Sequence, residues 1–196
     1  MNLLAPQEIA DALQAAAGPG FVSARCTEWA EGAKGRKSRQ VWIKLARESL
    51  IPALQRLIQV QYPHVSVIAC ADTGAQVDLT YHFHVYWGIP HEEILVTLTV
   101  SLNKTDLKVP TITGLIPGAL TSEREKQEML GIEVVGIPDG RRLFLPEDFP
   151  QGVYPWRKDE TGIPAGMVKD LWATGRENLK FEDNPPPPVS NPAKPV

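Results

Sequence analysis

Val77-Asp78-Leu79-Thr80-Tyr81-His82-Phe83-His84-Val85-Tyr86-Trp87, then the turn Gly88-Ile89-Pro90, then Ile94-Leu95-Val96-Thr97-Leu98-Thr99-Val100-Ser101-Leu102, set the architecture. Val77, Leu79, Tyr81, Phe83, Val85 and Trp87 fall on one side of an extended chain. Asp78, Thr80, His82, His84 and Tyr86 fall on the other. In the second run Ile94, Val96, Leu98, Val100 and Leu102 alternate with Leu95, Thr97, Thr99 and Ser101. Strand side chains point to opposite faces in turn, so this period of two predicts neighbouring strands with one packed and one more polar face.

Moving outward, Val65 to Ala71 reads as a further strand closed by the turn Asp72-Thr73-Gly74. Before it, Leu50, Ile51, Leu54, Leu57 and Ile58 recur at helical spacing up to about Tyr62. Ser49 is the expected N-cap, Pro52 is tolerated in the first turn, and Pro63 is the stop. Gln40 to Ala46 alternates, with Val41, Ile43 and Leu45 on one face. Phe21 to Trp29 alternates too, across a polar loop from Glu31 to Arg39, which predicts a hairpin. Pro6 to Ala17 is an amphipathic helix ended by Gly18-Pro19-Gly20. The expectation is a two-layer α+β domain, helices packed on a mainly antiparallel sheet, over residues 1–108.

Past Leu102 the periodicity fades and glycine and proline punctuate the chain. A charged Pro/Gly-rich segment occupies 109–165 and belongs to the same domain. It contains one well-signalled helix, Glu123 to Leu130, with Ser122 and Glu125 as a capping box, acidic residues at its positive end and Gly131 as C-cap. Residues 166–196 read as a short helix from Ala165 to Gly175 followed by an extended, disordered-like tail bearing Pro185 to Pro188, Pro192 and Pro195.

Composition narrows the function classes. The 196 residues suffice for one sizeable core, and a net charge of −3 gives no bulk attraction for nucleic acid. Mean hydropathy is −0.17, and no apolar run approaches the roughly 20 residues that cross a bilayer. The N-terminus lacks the pattern of a signal peptide, so a cytoplasmic location is expected. Cys26 and Cys70 are the only cysteines. They are expected as buried reduced thiols, and two thiols are too few for a standard iron–sulfur cluster, which takes about four.

The segment's charges are dense and balanced. Arg124, Arg141, Arg142, Arg157 and Lys158 stand against Glu123, Glu125, Glu128, Asp139, Glu147, Asp148 and Asp159. Guanidinium forks pair well with carboxylates. The composition fits an ordered loop laced by ion pairs that binds a partner, and it also fits a solvated surface loop.

The order of these residues resembles one family. Pro110-Thr111-Ile112-Thr113, Glu123-Arg124-Glu125, Leu130-Gly131-Ile132, Gly136-Ile137-Pro138-Asp139, Arg141-Arg142, Leu145-Pro146-Glu147-Asp148-Phe149 and Arg157-Lys158-Asp159 match the pattern of the small hydrophilic subunit of NADH–quinone oxidoreductase, respiratory complex I. The chain departs from the respiratory pattern at Ile137, where a histidine is usual, and near Thr121 and at Phe149, where tryptophans are usual. Pro138-Asp139 after Gly136 without the intervening histidine, and Tyr154-Pro155 before Arg157, look more like the relatives in energy-converting membrane-bound [NiFe]-hydrogenases and formate hydrogenlyase.

The resemblance implies a cofactor-free subunit that performs no catalysis alone. It implies docking on a large subunit of hydrogenase or quinone-reductase type, beside an iron–sulfur small subunit. Partners would carry the clusters and any [NiFe] centre, the membrane arm would be reached indirectly, and the chain would sit peripherally on the cytoplasmic face. Formate hydrogenlyase fuses this domain to its large subunit; here a separate subunit is expected. The implied docking residues are Glu123, Arg124, Glu125, Asp139, Arg141, Arg142, Glu147, Asp148, Arg157, Lys158 and Asp159. If Arg141 belongs to a buried pair, Arg141→Ala should dissociate the complex or unfold the loop.

Other features carry competing readings. The same-face pair His82 and His84, with Asp78, could ligate a metal and serve a small metal-dependent enzyme, or could be an exposed or interfacial sheet face. Lys34, Arg36, Lys37 and Arg39 suit a hairpin tip in solvent; nucleic acid and anionic lipid are the other readings. Trp29, Trp42, Trp87, Trp156 and Trp172 are expected in the core or at interfaces. A free-standing protein-binding module that reuses the fold is the rival of another class.

Overall fold

The computed structural model describes residues 3–167. Helix α1 (Pro6–Ala17) leads into the hairpin β1 (Phe21–Glu31) and β2 (Arg36–Leu45). Helix α2 (Leu50–Val60) crosses to β3 (His64–Asp72), which continues through β4 (Gln76–Val85) and β5 (Ile94–Asn103). The sheet order is β1-β2-β5-β4-β3. Three pairings are antiparallel, and β2 with β5 is parallel because α2 carries the chain from the inner β2 to the far edge. The expected two-layer α+β architecture with a mainly antiparallel sheet is the one observed.

Alternation accounts for the core. Val77, Leu79, Tyr81, Phe83 and Val85 are buried, and opposite them lie Leu102, Val100, Leu98, Val96 and Ile94. Val41, Ile43 and Leu45 extend the layer. Ile9 and Leu13 of α1 and Leu50, Leu54 and Leu57 of α2 are buried in the same cluster. Each fully buried side chain of this size contributes roughly 1.5–3 kcal/mol through water release.

Several local expectations are corrected. The hairpin turn is only Gly32–Gly35, because the charges beyond it pair across the strands: Lys37 meets Glu28 at 2.8 Å and Arg39 meets it at 3.4 Å. Ser49 does not cap α2; its hydroxyl donates to the Ala17 carbonyl at 2.7 Å and joins the two helices. Helix α2 stops at Val60, and Tyr62 is exposed. Trp87 leaves the buried face because Tyr86, at φ 60°, ends the strand. Tyr86 is buried instead, its hydroxyl accepting the Leu4 N–H at 2.8 Å. Cys26 and Cys70 are half-buried free thiols, raised above the usual pKa by burial first, rather than fully enclosed.

Beyond the sheet, β6 (Lys108–Pro110) pairs in parallel with β7 (Glu133–Val135). Between them α3 spans Leu120–Leu130. It starts earlier than expected and has no side-chain cap, so Ser122 lies inside the helix and the Ser122–Glu125 capping box is absent. The compact unit ends at Gly162; a second begins at Ile163 with the 3-10 turn Ala165–Met167. The rest of the expected last helix, the proline-rich tail and Trp172 lie outside the described residues.

Candidate docking segment

Helix α3 is strongly polar, yet Glu123, Lys126 and Glu128 are buried. A buried charge is costly unless paired and hydrogen-bonded, and each of these has its own partners. The Glu123 carboxylate accepts the Ile112 N–H at 2.7 Å and the Thr111 hydroxyl at 2.5 Å. Burial pushes its pKa above the usual glutamate range, opposed by those two donors. Glu128 accepts the backbone N–H groups of Leu143 and, at 2.9 Å, Phe144. Lys126 pairs with Glu125 and lies 5.2 Å from the Trp156 ring centre.

Arg124, beside Glu123, donates to the carbonyls of Arg141 and Arg142, each at 2.8 Å, and stands 3.5 Å from Asp139. Gln127 accepts the Val134 N–H at 3.2 Å. One helix therefore fixes three stretches of backbone, at Ile112, at Val134 of β7 and over residues 141–144, through side chains that reach main-chain groups. The helix ends at Gly131 in the left-handed conformation (φ 69°, ψ 31°). Tyr154 packs so closely there that a Cβ on Gly131 would sit 2.5 Å from its ring. The Trp156 N–H donates to the Met129 carbonyl at 2.9 Å, which ties the last part of the segment to the helix end.

A second anchor joins the segment to the sheet. Lys104 donates to Asp72 at 2.8 Å and to Asp159 at 2.5 Å. Asp72, with its side chain fully buried, also accepts the N–H groups of Lys158 at 2.8 Å and Gly74 at 2.9 Å. Burial alone would raise its pKa, but Lys104 and the two amides outweigh it and hold it at about 2. Asp159 is held well below the usual range by Lys104 first and then Thr161, whose N–H donates at 3.0 Å and hydroxyl at 2.5 Å. Arg157 Nε is 3.3 Å from Asp159.

The eleven residues singled out in the sequence thus divide by role. Glu123, Arg124, Glu125, Asp139, Arg142, Arg157 and Asp159 are engaged within the chain. Arg142 donates to the carbonyls of Pro146 at 2.7 Å and Phe149 at 2.9 Å. Arg141 reaches Asp139 at 2.8 Å, but its side chain is 85% exposed, so the buried pair assumed for it does not exist within the chain. Glu147, Asp148 and Lys158 are exposed.

Sequence reasoning gave Asp72 and Lys104 no part in the site, and it named Thr111 and Glu128 without placing them among the docking residues. Asp72 carried a signal: it continues the alternation of Ile68 and Cys70 onto the core face, where a carboxylate requires partners.

The remaining candidates separate. His84 pairs with Glu93, while His82 Nδ1 stands 3.3 Å from the Thr97 hydroxyl. Among the described residues no group of three or more His, Cys, Asp or Glu is placed to hold a metal ion. Cys26 on β1 and Cys70 on β3 occupy opposite edges of the sheet, which does not fit a shared cluster. Trp29, Trp87 and Trp156 are exposed and Trp42 is half-buried; none of these four is in the core. Among the described residues no helix is long and apolar enough to cross a membrane.

Residues 43–164 match the family described as respiratory-chain NADH dehydrogenase, 30 Kd subunit. The chain is 35% identical to the membrane-bound hydrogenase subunit beta of Pyrococcus furiosus over 67% of its own length and 76% of that protein's. It is 38% identical to formate hydrogenlyase subunit 5 of Escherichia coli over 41% of its length, a match spanning only 15% of that protein. Among solved structures, a chain of the membrane-bound sulfane sulfur reductase, an archaeal respiratory membrane complex, aligns over 95% of this chain and 98% of its own. The TM-score is 0.59 at 17% identity, so that likeness concerns the fold.

Proposed function

Because the chain belongs to the respiratory-chain NADH dehydrogenase, 30 Kd subunit family, we propose that it is a peripheral subunit of a membrane-bound oxidoreductase of the hydrogenase type. It docks on the large subunit, next to the subunit that carries iron–sulfur clusters, on the cytoplasmic face. The clusters and the [NiFe] centre belong to those partners; this chain contributes shape and contacts, and no electron transfer of its own. The observation that carries the reading is the 35% identity to a membrane-bound hydrogenase subunit beta across three-quarters of that protein. The geometry supports it: the charges of the segment fix irregular backbone rather than converge on a reacting centre.

The second reading is the corresponding subunit of a proton-pumping NADH–quinone oxidoreductase, which the family description favours. Ile137 and Phe149, in place of the histidine and tryptophan usual there, weigh against it. A mild-detergent pull-down of the tagged full chain from its native membranes, with mass spectrometry of the co-purifying proteins, tests both. A large subunit with the cysteines of a [NiFe] site is the expected companion. A large subunit lacking them, together with NADH-binding subunits, would select the second reading. Recovery of the chain alone would overturn both in favour of a free-standing module.

A further inference from the structure

The loop from Leu143 to Phe149 is held at both ends by charged side chains that face inward. Glu128 accepts the N–H groups of Leu143 and Phe144. Arg142 closes the far end on the carbonyls of Pro146 and Phe149, its guanidinium 6.0 Å from the Phe149 ring centre. The Phe149 N–H donates to the Pro146 carbonyl at 3.1 Å and tightens the turn. On this fixed frame Phe144 is 61% exposed, the largest exposure among the big apolar side chains described. Glu147 and Asp148 beside it are exposed and pair with no cation of the described residues, whereas the neighbouring Asp139 has two arginines.

A loop that served only solubility would not require a buried glutamate to fix its backbone, nor hold a phenylalanine out into water. A rigid frame lowers the entropy cost of binding, and aromatic side chains are enriched at interface centres that a polar rim surrounds. We propose that Phe144, flanked by Glu147 and Asp148, is the anchor by which the chain binds its large subunit. It fits an apolar pocket rimmed by lysine or arginine on that subunit. The sign of the two carboxylates selects a cationic protein surface and repels an anionic lipid surface. The inference rests on the docking reading above and names the point of contact.

The test uses the tagged full chain in its native membranes and counts, by mass spectrometry, large subunits recovered per tagged chain. It compares wild type, Phe144→Ala, the double variant Glu147→Gln with Asp148→Asn, and Glu160→Gln as an exposed carboxylate outside the loop. Each is washed at about 0.1 M and about 1 M salt, where the screening length falls from about 10 Å to about 3 Å. Phe144→Ala should lower recovery at least about tenfold at both salts. The double variant should lower it at low salt and remove its salt dependence, while Glu160→Gln should behave as wild type. All thermal midpoints should match, because the altered side chains are exposed. Wild-type recovery of the large subunit with equal recovery by Phe144→Ala and the double variant would overturn the anchor and leave the docking reading intact. Wild-type recovery of no large subunit, or only of further copies of this chain, would overturn both.

Discussion

The buried carboxylate of Asp72, at the end of β3, accepts the backbone N–H of Lys158 at 2.8 Å across 86 positions of sequence. Lys104, bonded to the same oxygen of that carboxylate, reaches on to Asp159. The Arg157-Lys158-Asp159 turn is therefore fastened to the sheet and not only to its own segment. Asp72→Ala removes the acceptor of two amides and one partner of Lys104. Lys104 keeps Asp159, so the loss is that of the amides left without an acceptor, about 1–3 kcal/mol. Urea unfolding should report a loss of about that size, with faster proteolysis near Lys158.

Acid should loosen the same anchor first. The Asp72 pKa falls from 3.8 to about 2 on folding, so the folded state favours the ionised form. That contribution is present above pH about 4 and is lost as the pH falls through about 2. Asp139 and Asp159 are shifted in the same direction. Stability should therefore decline from about pH 4 to pH 2, and Asp72→Asn should show a shallower decline over that interval in denaturant titrations at stepped pH.

Glu123 behaves in the opposite sense. Its folded pKa is raised, so the stability linked to its protonated form is present below its ordinary value of 4.5 and lost as the pH rises through the folded value. Glu123→Gln keeps an acceptor for the Ile112 N–H and removes the buried charge; it should change stability at neutral pH by less than about 1 kcal/mol. Glu123→Ala leaves that N–H without its acceptor and should cost about 1–3 kcal/mol. Equal losses for the two variants would contradict this role.

Gly131 answers to two constraints. Its φ of 69° disfavours a side chain, and the Tyr154 ring occupies the space a Cβ would need. Gly131→Ala should destabilise by about 2 kcal/mol or more through strain and overpacking. In a double-mutant cycle with Tyr154→Ala part of that loss should be recovered, because only the steric component disappears.

Arg141→Ala should leave the isolated chain folded. Exposed pairs are worth about 0–1 kcal/mol, and the Arg141 side chain is 85% exposed. A thermal midpoint within a few degrees of wild type is expected, which makes any loss of recovery in the assembly a report on contacts between subunits.

The sheet was legible because burial imposes a period of two, which β4 obeys from Val77 to Val85 and β5 from Ile94 to Leu102 except at the buried Thr97. The break at Tyr86 was not, since apolar alternation runs on through Trp87 while the backbone turns over. The charged segment was legible as ordered and laced by charge, and Arg141 with Asp139 and Arg157 with Asp159 do pair, but most of the arginines and glutamates have further partners that composition does not show. Arginine beside aspartate in composition suggested ion pairs. Arg124, Arg142, Glu123 and Glu128 also satisfy main-chain groups, which carry no side-chain signature. Glu128 is buried because irregular backbone supplies partners that hydropathy does not count, and Lys126 because the Glu125 carboxylate and the Trp156 ring face it. The contact of Asp72 with Lys158 spans too much sequence for any local pattern to reveal.

Hydrogen exchange read by mass spectrometry on the full chain, alone and within the purified assembly, tests the docking claim most directly. In the free chain the amides of Leu143 and Phe144 should already exchange slowly, since Glu128 holds them. On assembly the remainder of the loop, half-buried Leu145 and exposed Glu147 and Asp148, should slow by at least about tenfold as the partner covers it. Unchanged exchange over 143–149 in an intact assembly would contradict the account.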